Sequence, residues 1–137
     1  MAARIASLTR TREDAMSLAA YKLIHFLGIF TVVTALSTAL ARASLTDGED
    51  PWRKRVGMLH GIGLFLILLG GFGMMSRLNI PHVSIYPGWI WVKLVIWAVL
   101  AGGIVVARRS PAWSVRFLIL LPFLGALAGF LGYTKPF

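Results

Sequence analysis

The sequence predicts an all-α membrane protein, a bundle of four transmembrane helices. Three observations carry that expectation. Hydrophobic residues make up 58% of the 137 positions and charged residues only 14%, where a soluble domain carries about 25% charged; mean hydropathy is +0.77. Four apolar runs, each about 20 residues long, succeed one another. Cations and aromatic residues gather where those runs end. Four spans would occupy about 80 residues and leave only short loops and tails, with no room for a soluble catalytic domain.

The first run extends from about Tyr21 to Ala41 and is closed by Arg42. A polar loop, Thr46 to Pro51, leads to Trp52 and the basic triplet Arg53-Lys54-Arg55. The second run covers about Val56 to Met75 and stops at Arg77; the connection to Gly88 contains Pro81 and Pro87. The third goes from about Trp89 to Ala107, ended by Arg108-Arg109, and after Ser110-Pro111 the fourth covers about Trp113 to Tyr133. At 1.5 Å per residue each run crosses about 30 Å of hydrocarbon. Tyr21, Trp52, Tyr86, Trp89, Trp91, Trp113 and Tyr133 all fall near run ends, where interfacial aromatic belts form. The domain division is therefore a tail over 1–20 and a transmembrane domain over 21–137. Met1 to Ala20 mixes Arg4, Arg10 and Arg12 with Glu13 and Asp14. It lacks the charged-then-apolar layout of a signal peptide and reads as a retained tail, either an interfacial amphipathic helix or disordered chain.

Formal net charge is +9, from 14 Lys and Arg against 5 Asp and Glu. The cations fall between apolar runs, so the expected partner is membrane lipid and not nucleic acid. The side holding the termini has Arg4, Arg10, Arg12, Lys22, Arg77 and Lys135; the other has Arg42, Arg53, Lys54, Arg55, Arg108, Arg109 and Arg116. Six against seven leaves orientation open. Absence of cysteine excludes disulfides, thiolate-held iron–sulfur clusters and thiol catalysis. Gly57 with Gly61 and Gly125 with Gly129 are spaced four apart, and Gly63, Gly70, Gly73, Gly102 and Gly103 add small positions. Such patterns predict helix–helix contact faces. Pro122 predicts a kink in the fourth span.

Ionisable groups within a span are costly, and each marks a candidate site. Here they are His25, His60 and Lys93. Topology puts His25 and Lys93 about one turn inside the same membrane face, and His60 about one turn inside the opposite one. About 18 Å separates the two histidine levels, too far for one haem iron to take both imidazoles. Met74, Met75 and His82 fall near the His25 level, and a His–Met pair is an accepted axial set for haem. A haem or quinone-type site and a structural role are both open: Lys93 can snorkel, His25 can bond a neighbouring helix, and methionines pack well. All five acids, Glu13, Asp14, Asp47, Glu49 and Asp50, lie outside the runs. That argues against carboxylate acid–base chemistry. Hydrolase triads, phosphate loops and zinc spacings are absent, so no catalytic residue is assigned.

Tyr21-Lys22-Leu23-Ile24-His25, Arg55 with Leu59-His60 before a Gly-rich stretch, and Pro87-Gly88-Trp89-Ile90-Trp91-Val92-Lys93-Leu94 together resemble the SirB family of small bacterial inner-membrane proteins. The chain is also similar to the wider group with HemJ-type protoporphyrinogen oxidases and CopD-like domains. The resemblance spans about residues 21 to 133. It implies a multi-pass protein of the bacterial inner (cytoplasmic) membrane, with His25 and Lys93 as its polar pair and His25 as ligand of a haem b iron. Gly61 to Gly63 stand where that family has an Asp after the second-helix histidine. Two functions are carried forward. One is haem or electron-transfer chemistry on a haem b held by His25 with Met74, Met75 or His82, and Lys93 near the propionates. The other is a non-catalytic accessory subunit packed against a larger membrane complex.

Overall fold

The computed structural model describes the backbone of residues 1–45, 49–80 and 86–136, with side chains described for Met1, Arg4 and those of these residues from 18 onward. It contains four helices, α1 (Ala2–Leu45), α2 (Arg53–Arg77), α3 (Gly88–Arg109) and α4 (Pro111–Thr134). No strand is present among the described residues. Leu18–Leu45 and the whole of α2, α3 and α4 are each long and apolar enough to cross a membrane. The all-α, four-helix expectation is met.

Each boundary has a local cause. Asn79 takes a left-handed conformation, φ 51°, just past α2. The Ile80 N–H reaches the Met75 carbonyl at 3.1 Å and the Asn79 N–H the Ser76 carbonyl, the two bonds of a Schellman ending. Pro111 opens α4 at its first position, where the missing N–H costs nothing. Pro122 lies inside α4 without interrupting the helix. The stretch expected to be a tail is helical and continuous with the first span. At 1.5 Å per residue α1 is about 66 Å long, twice the hydrocarbon thickness, so part of it must stand clear of the lipid.

In lipid there is little hydrophobic drive between helices, and close backbone approach takes its place. The α1–α2 seam shows this. A Cβ on Gly28 would lie 2.6 Å from the Ile67 nitrogen, one on Gly63 2.9 Å from the Val32 nitrogen, and one on Gly70 2.5 Å from the His25 nitrogen. Only glycine permits those contacts. Gly61, Gly102, Gly125 and Gly129 have nothing within 4 Å of such a Cβ, so they face outward. The four-residue glycine spacings therefore did not mark the contact faces. Gly57 is filled from elsewhere, by the Arg108 side chain.

α1 packs against all three other helices, whereas α2 and α4 do not touch among the described residues. Leu36 and Leu40 of α1 form the core with Ala107 of α3 and Leu121 of α4. Elsewhere the surface is apolar: Leu23, Phe30, Phe65 and Phe123 are all well exposed, as lipid-facing residues should be. Thr31, Thr38 and Thr134 each donate to the carbonyl four residues back, which satisfies their hydroxyls within the helix. The Ser114 hydroxyl is different, being fully buried with no partner.

Candidate functional site at the His25 and Lys93 end

Because Gly70 has no side chain, the backbone of His25 rests directly on α2. That fixes the imidazole against the next turn of α2. His25 Nδ1 lies 2.8 Å from the Ile67 carbonyl oxygen. A carbonyl only accepts, so Nδ1 carries the proton and a neutral ring keeps its lone pair on Nε2. The ring passes beside Gly71, where a Cβ would stand 3.6 Å from both Cε1 and Nδ1. One turn earlier on α1, Tyr21 fills the space left by Gly73.

Lys93 approaches from α3. Its Nζ stands 5.8 Å from the centre of the Trp89 ring, and a Cβ on Gly132 of α4 would come within 2.9 Å of it. Two contacts between helices thus mark this end, His25 of α1 beside Gly71 of α2 and Lys93 of α3 beside Gly132 of α4. Lys93 has no carboxylate partner among the described residues, and no acid lies in any span. A half-buried cation thus has an aromatic face beside it but no counter-charge among the described residues.

Met74 and Met75 follow Gly71 by three and four residues, placing them about one turn beyond the imidazole. Met75 is buried and Met74 partly so. His82 lies outside the described residues. His60 stands ten residues from Gly70 along α2, about 15 Å away. Its Nε2 donates to the Leu100 carbonyl at 3.1 Å, with Arg108 nearby. Sequence reasoning missed Gly28, Gly71 and Gly132, whose role is to make room. It also missed Trp97, whose indole donates to the Leu64 carbonyl at 3.1 Å. A mid-span indole N–H needs a partner in lipid, and that was its signal.

Chemically, the site offers one imidazole lone pair and one ammonium with no carboxylate partner among the described residues. No group of three His, Cys, Asp or Glu that could hold a bare metal ion exists among the described residues. A haem asks less of the protein, because its macrocycle supplies four ligands and one axial imidazole can suffice. Its propionates are the kind of anion Lys93 lacks. The donor chemistry fits. Compared with known proteins, the chain matches no family model, no curated protein and no solved structure.

Proposed function

We propose that this chain is a small SirB/HemJ-like protein of the bacterial inner membrane that binds haem b at the His25–Lys93 end. The observation that carries the reading is the occurrence together of His25, tethered through Nδ1 to the Ile67 carbonyl, and a half-buried Lys93 that has no counter-charge among the described residues. Imidazole ligands are commonly oriented in this way, one nitrogen bonded to a carbonyl and the other offered to the metal. His25 would hold the iron through its free ring nitrogen, Lys93 would pair with the propionates, and Met74, Met75 or His82 would supply any second ligand. Bound there, the haem supplies one-electron chemistry. The protein holds and orients it in a low-dielectric setting.

The visible spectrum of the purified full chain tests this. A Soret band is expected, lost in His25→Ala, weakened in Lys93→Ala and retained in His60→Ala. A colourless preparation after expression with ample haem, or a band indifferent to His25→Ala, rejects the reading. A second reading, an accessory subunit of a larger membrane complex, is favoured by the outward Gly125 and Gly129 on α4, which nothing among the described residues covers. Colourless protein that copurifies in fixed stoichiometry with other subunits, and loses them in Gly129→Leu, is its signature.

A further inference from the structure

The opposite end of the bundle carries a separate feature. An open groove of about 440 Å³ lies there, lined by Glu49, Asp50, Pro51, Arg53, Lys54 and Arg108. Its cations come from two helices, Arg53 and Lys54 from the first turn of α2 and Arg108 from the last turn of α3. Arg108 is held across the gap between them. A Cβ on Gly57 would fall 2.6 Å from its Nη2, so the guanidinium lies in the notch that Gly57 leaves open on α2.

The acids in the groove do not cancel these charges. Asp50 is already engaged by Arg42, through Nε at 2.8 Å and Nη2 at 2.6 Å, and accepts from the Trp52 N–H at 3.0 Å. That leaves Glu49, exposed on the rim, against three cations.

Depth identifies the occupant. Trp52 and Trp113 open α2 and α4 at this same end, with Arg55 and Arg116 stacked 5.7 and 4.7 Å from their ring centres. Tryptophans with cations above them mark the headgroup level of a bilayer. What reaches a basic groove at that level is a lipid phosphate. We propose that this groove binds the phosphate of an anionic membrane phospholipid, with the Arg108 guanidinium and the Lys54 ammonium as its charge partners and Arg53 beside them.

The test is lipid retention by the full chain in detergent, counted by native mass spectrometry after incubation with phosphatidylglycerol or phosphatidylcholine at equal mole fraction. Retained phosphatidylglycerol should exceed phosphatidylcholine. Arg108→Ala should weaken that retention roughly tenfold or more, the loss expected for a charge-assisted bond. The double variant Arg53→Ala/Lys54→Ala should do the same without touching the Gly57 notch. Arg109→Ala, one residue from Arg108 but outside the groove, should retain lipid as the parent does. Equal retention of the two lipids, or an equal loss in Arg109→Ala, overturns the proposal in favour of diffuse charge. Displacement of the lipid by millimolar inorganic phosphate assigns the groove to a soluble anion and overturns the lipid assignment.

Discussion

The two ends of this bundle each present a histidine bonded to the carbonyl of a neighbouring helix, yet they are built to different ends. His60 is only 3% exposed and its ring is enclosed between α2 and α3. The cation near it, Arg108, is drawn out into a groove at the lipid headgroups. At the other end the His25 ring is only partly covered and Lys93 stays inside the bundle, beside glycines and without an acid. The bond that a histidine makes does not reveal its purpose. What surrounds the second nitrogen does.

The sharpest way to break the comparison is to fill the space on which the His25 end depends. Gly70→Leu would drive a side chain into the His25 backbone, where nothing flexible can yield. Overpacking of that kind costs about 3 kcal/mol or more, and the melting temperature in detergent should fall accordingly. Gly125→Leu adds the same volume to an outward face and should be close to silent. Equal effects from the two substitutions would mean that the α1–α2 seam does not hold the bundle together.

That pair also shows what could be read in advance. Four apolar runs of spanning length define the helices without help from tertiary structure, because length and hydropathy are local properties. The convergence of His25 and Lys93 is equally legible, since counting spans assigns each residue to a face. Contact glycines are a different matter. Gly125 and Gly129 have the spacing of an interface and face outward, while Gly28 stands alone in a bulky run and makes one of the tightest approaches. Spacing shows that a face is smooth. Which neighbour meets it depends on how α1 sits among three partners, and no single segment encodes that. The walls of the site, Gly71 and Gly132, were hidden for the same reason.

A smaller effect distinguishes the histidines themselves. His60→Ala removes a buried ring and its bond to the Leu100 carbonyl, which should cost about 1–2 kcal/mol. His25→Ala acts on a less enclosed ring and should destabilise the cofactor-free protein less. Thermal melting of haem-free protein separates the two. If His25→Ala proves the more damaging without haem, the imidazole is chiefly a structural tie, and the proposed division of roles between the two ends fails.

The smallest expected effect lies outside the membrane, at the Arg42–Asp50 pair that shapes the basic groove. The bond from Arg42 holds the Asp50 carboxyl below the usual carboxylate range, with the Trp52 N–H and the Arg42 charge acting in the same direction and partial desolvation opposing them. A carboxyl whose folded pKa is depressed adds stability above its unfolded value, near pH 4, and loses it as pH falls through the folded value. Asp50→Asn removes that contribution at neutral pH and leaves little to lose in acid. Its melting temperature should therefore trail the parent modestly at pH 7, and the gap should begin to close below about pH 4 and vanish only below the depressed folded value. A gap that stays constant from pH 7 to pH 3 would show that the pair adds nothing beyond shape.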